Sequence, residues 1–149
     1  MFVVVDANIV FSAILNTDGK IGDLLLNSNG IFQFIAPDFL RTEIRLHYDK
    51  LMKLLHVQLF DVQEIETQVY KNIAFVSEEQ ISPHNWQTAH QIVADIDVKD
   101  TVYVAYLQEF ECLLWTGDKR LIQGLRHKNL QSIVTTDELL SIRNNLQAK

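Results

Sequence analysis

The sequence predicts an α/β protein, a parallel sheet sandwiched between helices. Three observations carry this. Phe2-Val3-Val4-Val5 is an unbroken, β-branched apolar run of the kind that forms a strand buried on both faces. Further short apolar runs, Phe32 to Ala36, Cys112 to Trp115 and Ser132 to Val134, alternate with stretches of helical periodicity. Several of those stretches open on a capping signal, such as Pro37-Asp38, Ser82-Pro83 and the Thr135/Glu138 pair.

Asp6-Ala7-Asn8 ends the first strand, and Ile9 to Leu15 reads as helix. Asp18-Gly19-Lys20 is a turn, after which Ile21 to Leu26 resumes helix. The second strand leads into one long helix from about Asp38 to Leu55, because Leu40, Ile44, Tyr48, Leu51 and Leu55 recur every three or four residues. Val62, Ile65, Val69 and Ile73 mark another helix by the same spacing, and Trp86, Ala89, Ile92 and Val93 continue the one begun at Ser82-Pro83. Asp97 to Phe110 is a helix, the strand Cys112 to Trp115 follows, and Asp118 opens a helix through Leu125. After the last strand, Thr135 caps a final helix through about Asn145.

Composition bounds the answer. With 149 residues, 48% of them hydrophobic and 21% charged, one domain spanning 1–149 is expected, and general disorder is excluded. Asp6 interrupts the apolar start and no basic region precedes it, so no signal peptide is expected; no apolar run suits a membrane span. The single cysteine, Cys112, rules out an intrachain disulfide and a four-cysteine zinc site, and a cytoplasmic setting is expected. The five histidines, at 47, 56, 84, 90 and 127, show no zinc spacing and read as surface residues. A net charge of −6 argues against bulk attraction to nucleic acid, though an enzyme that collects carboxylates around a metal is acidic for another reason.

The acids are distributed in a pattern. Asp6 directly follows the first strand, and Asp118 follows Trp115 after only Thr116-Gly117. If those strands are parallel, both carboxylates stand at one sheet edge, where ligands bind in such folds. Glu43 lies about one and a half turns into the helix after the second strand, and Asp100 sits in the first turn of its helix with Asp97 just before it. Bare carboxylates brought together repel, and hard oxygen donors suit Mg²⁺ or Mn²⁺, ions that assist phosphodiester hydrolysis.

VVVDANIVFSAIL, APDFLRTEI, DIDVKDTVYVAYL and LLWTGDKRLIQGL, taken together, resemble the PIN-domain family of nucleases over most of the chain. The resemblance implies a three-layer α/β/α sandwich that cleaves single-stranded RNA with Mg²⁺ or Mn²⁺. By position it assigns metal binding and catalysis to Asp6, Glu43, Asp100 and Asp118. Asn8 and Thr116 match the small polar residues that flank the first and last acids and support the ligands from behind. Small single-domain members are often toxins of the VapC kind, so a cognate antitoxin protein and a homodimer are implied partners. The segment Asp97-Val-Lys-Asp100 departs from the usual toxin pattern: it holds two acids three residues apart, and both stand as metal contacts.

Each residue also has a plainer role open to it. Asp6, Asp97, Asn8 and Asp118 can cap helices, Glu43 can pair with Arg41 or His47, and Thr116 can bond the backbone. Arg41 and Arg45 near Glu43, with Lys119 and Arg120 near Asp118, can form a basic rim that holds RNA phosphates, or plain solvated helix faces. Cys112 and Trp115 read as packing residues. Two rivals differ in class. One is a PIN-fold RNA- or protein-binding module of weak catalysis. The other is a metal-dependent phosphotransfer fold such as a receiver or a phosphatase of the haloacid-dehalogenase kind, and the phosphatase's D-x-D-x-[TV] pattern fails here at Asp6-Ala7-Asn8-Ile9-Val10.

Overall fold

In a computed structural model covering residues 1–149, β1 (Phe2–Val5) leads through α1 (Ala7–Leu15) and α2 (Lys20–Leu26) to β2 (Gln33–Pro37). Then come α3 (Phe39–Leu46), α4 (Tyr48–Leu55), α5 (Leu59–Tyr70) and β3 (Ile73–Val76). A 3-10 turn at Glu78–Gln80 precedes α6 (Pro83–Val93), and a second at Val98–Asp100 precedes α7 (Thr101–Glu109). The chain closes with β4 (Leu113–Trp115), α8 (Lys119–His127), β5 (Ile133–Val134) and α9 (Thr136–Gln147).

The five strands form one parallel sheet in the order β3-β2-β1-β4-β5. Helices cover both faces, as all-parallel sheets require, and no helix is long and apolar enough to cross a membrane. β1 is central, and Val3, Val4 and Val5 are fully buried. The chain builds outward from β1 to β2 and β3, then crosses over to start the other half at β4. The strand order therefore reverses beside β1, and a crevice opens there beyond the carboxyl ends of β1 and β4. The register pairs Val5 with Trp115, which sets Asp6 and Thr116 side by side at that edge. Trp115 is buried, 5.7 Å from the Phe34 ring, and its indole N–H donates to Thr136, so it packs the sheet as expected.

Several expectations fail: the helix read from Asp97 begins only at Thr101, after the 3-10 turn, and Pro37, read as a helix start, ends β2. The helix expected over Asp38 to Leu55 is two helices broken at His47, whose backbone (φ −107°, ψ 11°) leaves the helical region. The apolar stripe survives the break, since Leu40, Ile44 and Leu51 are all buried, so periodicity alone gave no sign of it. Ile73, read as the end of a helix, instead begins edge strand β3, after a turn at Lys71-Asn72. The Asn72 amide donates to the carbonyls of Leu25 and Leu26, which fixes that turn. Strand ends also shift: Phe32 and Cys112 lie just outside β2 and β4.

One glycine is fixed by close packing. A Cβ on Gly22 in α2 would lie 2.1 Å from the Thr17 carbonyl oxygen, a backbone atom that has no side-chain freedom to move away. Gly22→Ala is expected to destabilise the fold by about 1–3 kcal/mol, the usual cost of overpacking. Thermal unfolding checks this; an unchanged Tm would mean that the Thr17 turn is not held in place.

Candidate active site

Asp6 is placed by β1 and held by three hydrogen bonds, one donated and two accepted. Its backbone N–H donates to the Trp115 carbonyl, extending the β1–β4 ladder by one residue. Its Oδ1 accepts from the Asn8 N–H at 3.2 Å, so Asp6 is the N-cap of α1. Its Oδ2 accepts from the fully buried Thr116 hydroxyl at 2.6 Å. The same Thr116 oxygen accepts the Asp118 N–H at 3.1 Å, so one hydroxyl ties the first acid to the last. Thr116 thus fills both roles open to it in the sequence, orienting a carboxylate and bonding the backbone. Asp118 in turn caps α8, accepting from the Leu121 N–H at 3.2 Å. Capping leaves Asp118 its second oxygen, and Asp6, whose oxygens each accept one bond, keeps a further lone pair on each, so cap and site residue are compatible readings.

Glu43 reaches the crevice from α3, where its Oε1 accepts from the Tyr103 hydroxyl at 2.6 Å. It pairs with neither Arg41 nor His47. Sequence reading missed Tyr103, and the available signal was spacing: Tyr103 lies three residues after Asp100 and so shares its face of α7. Burial pushes the Tyr103 phenol far above the tyrosine range, with the Glu43 charge adding to the rise, so it stays a donor.

Asp97 and Asp100 separate cleanly. Asp97 caps the 3-10 turn, accepting from the Lys99 N–H at 3.0 Å. Asp100 stands at the N-cap position of α7 but makes no side-chain cap bond, and its buried Oδ2 has no hydrogen-bond partner. Burial raises its carboxyl from 3.8 to about 7, and the charges of Asp6, Asp118, Asp97 and Glu43 add to the rise. All five acids are therefore electrostatic neighbours. Burial also raises Asp6 against the opposing bonds from Thr116 and Asn8, and raises Glu43 against the bond from Tyr103.

No protein cation neutralises this group. The five ion pairs, Lys20–Asp137, Arg41–Asp38, Arg126–Glu138, Lys128–Asp95 and Arg143–Asp23, all lie elsewhere. As placed, no three of the acids form a ready-made group that would hold one ion. The donor set is all oxygen, which fits Mg²⁺ or Mn²⁺, and the orphaned Asp100 Oδ2 is the atom that most needs a positive partner.

Asn8, Lys119 and Arg120, next to Asp6 and Asp118 along the chain, are exposed, and so is Arg45, which lies beside Tyr48. Asn8 is in the first turn of α1 and is not its cap. Arg41 is committed to Asp38 at 3.0 Å and lies over the Phe75 ring, 3.5 Å from its centroid. All five histidines are exposed, and burial raises the Cys112 thiol to about 11, which suits a packing role.

A family model described as PIN domain matches residues 4–138. No curated protein matches the sequence. Among solved structures, a chain of VapBC2 from Rickettsia felis, crystallised bound to a DNA fragment from their promoter, superposes with a TM-score of 0.63 at 10% identity, over 91% of this chain and 97% of that one. At such low identity the likeness is one of fold, and it agrees with the parallel sheet and its helical layers. The sequence match over nearly the whole length places the protein: the chain belongs to the PIN-domain family.

Proposed function

We propose that this protein is a divalent-metal-dependent ribonuclease and the toxin of a toxin–antitoxin pair. The observation that carries the reading is Asp100, a half-buried carboxyl facing four other acids with no cation of the protein among them. Membership of a nuclease family and a fold shared with a toxin–antitoxin complex support it. Asp6, Glu43, Asp100 and Asp118 hold the metal, and Asp97 stands at its margin. Bound Mg²⁺ or Mn²⁺ supplies a lowered pKa for water and neutralises charge on the phosphodiester. The chain's own residues do the rest. Thr116 and Tyr103 fix the carboxylates of Asp6 and Glu43 by hydrogen bonds, so that little order is lost when the site closes. The attacking water must lose a proton, and one of these carboxylates would take it. Lys119 and Arg120, in the first turn of α8, and the exposed Arg45 give the RNA phosphates local positive charge despite the net −6.

Incubating the protein with structured and single-stranded RNAs tests this. Cleavage is expected in Mn²⁺ and should stop in excess EDTA. Undiminished cleavage in EDTA would remove the metal from the mechanism. RNA binding with no cleavage would favour a binding module, a reading to which the lack of a pre-gathered ligand trio lends some weight. Induced expression is expected to slow a bacterial host, and Asp6→Asn, or the product of an adjoining small antitoxin gene, to relieve it. A homodimer is the expected assembly, to be read from its mass in solution.

Tyr103→Phe removes only the hydroxyl that holds Glu43. It is expected to raise the Mn²⁺ concentration for half-maximal cleavage by roughly 10–100-fold, as the loss of such supporting bonds does, with a smaller effect at saturating metal. A fall in rate that saturating Mn²⁺ leaves untouched would mean that Tyr103 acts otherwise than through Glu43.

A further inference from the structure

A recess of about 220 Å³ opens beside the acids at the α3–α4 junction, lined by Asn8, Phe11, Glu43, Ile44, His47 and Lys50. It shares only Glu43 with the metal site proposed above. The His47 ring meets Phe11 edge-on at 5.8 Å and 78°, and the Lys50 ammonium lies over the same ring, 5.4 Å from its centre, so a base that stacks on that face takes the place of the ammonium. Ile44 is buried and closes the floor, while Asn8, His47 and Lys50 are exposed at the rim. The lining thus joins an aromatic wall and an apolar floor to an amide that can both donate and accept, beside a cation. This is the chemistry of a nucleobase, a π-face with a polar edge, carried next to a phosphate. The volume lies below the roughly 300–1,000 Å³ of sites for drug-sized molecules, so it suits a single base.

We propose that this recess receives one unstacked base of a single-stranded RNA, beside the phosphodiester held at the acids, that Phe11 and Lys50 hold the base and its phosphate there, and that the recess thereby sets which sequences are cut. The inference rests on the ribonuclease reading. Phe11 gives the base a face to stack on, His47 closes the side, Asn8 bonds the base edge, and Lys50 meets the adjoining phosphate. Stacking of one base on an aromatic side chain is sequence-tolerant by itself, so the discrimination comes from the Asn8 and His47 edges.

The test uses short single-stranded RNAs randomised around a central position. Wild type, Phe11→Leu, His47→Ala and Lys50→Ala are compared by sequencing the product ends in Mn²⁺. Binding of labelled RNA pentamers is read in parallel in EDTA. Phe11→Leu keeps an apolar side chain and removes the π-face, which separates stacking from folding. Wild type is expected to prefer one base at one position next to the cut, by roughly 10-fold or more. Phe11→Leu and His47→Ala should flatten that preference, and Lys50→Ala should weaken binding and reduce its salt dependence. Cleavage by wild type with no base preference, or with a preference that all three variants keep, overturns the recess as a base site and leaves the ribonuclease standing. Binding that depends on Phe11 and His47 without any cleavage would do the reverse, supporting the base site while the nuclease reading falls.

Discussion

Asp100→Asn is expected to lower Mn²⁺-dependent RNA cleavage by at least about 100-fold, a floor set by what losing a mere supporting contact to a metal ligand costs. Asp97→Asn is expected to cost far less. The two acids are three residues apart, yet their surroundings differ. The Asp97 carboxylate accepts from the Lys99 N–H and caps a turn, work that asparagine also does. The Asp100 carboxylate makes no cap bond, and its Oδ2 is buried without a partner. Steady-state rates over a range of Mn²⁺ concentrations distinguish the two. The reverse order of losses would move the third ligand to Asp97, and equal losses would mean that both acids hold the ion.

The same substitution is expected to stabilise the metal-free protein at alkaline pH. Asp100 has its carboxyl raised from 3.8 to about 7, first by burial and then by four neighbouring acids. Between those two values the folded chain keeps a proton that the unfolded chain has released, so stability from this group is full at low pH and is lost as pH rises through about 7. Asp6 and Glu43 are raised as well and act in the same direction. Asp23, lowered by its bonds from Arg143 and Asn27, acts oppositely, but equally in both proteins. The difference in melting temperature between Asp100→Asn and wild type therefore isolates the site. In EDTA at about pH 8.5, relief of about 1–2 kcal/mol is expected, after allowing for the solvent screening of a half-buried group, which amounts to several degrees. At about pH 5.5 roughly half of that advantage should remain, because the unfolded chain has already released its proton there, and it should vanish only as the pH falls to about 4. Mn²⁺ should raise the wild-type melting temperature at alkaline pH and raise that of the variant less, since the ion binds the folded state alone. If Asp100→Asn melts below wild type at every pH, the carboxylate is a structural element. If Mn²⁺ shifts neither protein, the acids do not gather on a metal.

Much of this architecture was legible in the chain. The run at Val3 to Val5 announces a strand buried on both faces, and an aspartate at its carboxyl end announces a sheet-edge site. Thr135 and Glu138 satisfy the capping box that their spacing predicts, and Ser82-Pro83 starts α6 as expected. The order of acids along the sequence, with a threonine two residues before the last, carried the family. These features share one property: each is written within a few consecutive residues, through local sterics, periodicity and short-range hydrogen bonds.

What only the tertiary structure decided spans longer distances. The hydroxyl of Thr116 meets Asp6 across 110 positions, and that of Tyr103 meets Glu43 across 60. Asp97 and Asp100 look alike as text, and what tells them apart is the Lys99 N–H that Asp97 accepts and the buried, unpartnered Oδ2 of Asp100. The break at His47 has no proline or glycine to signal it, and His47 lines the recess beside Glu43. The strand at Ile73 continues a helical spacing by coincidence and becomes a strand because β2 offers it an unpaired edge. Local propensity differs between alternatives by only a few tenths to about 1 kcal/mol per residue, so wherever it is nearly balanced, the burial and hydrogen bonding of partners far along the chain decide the outcome.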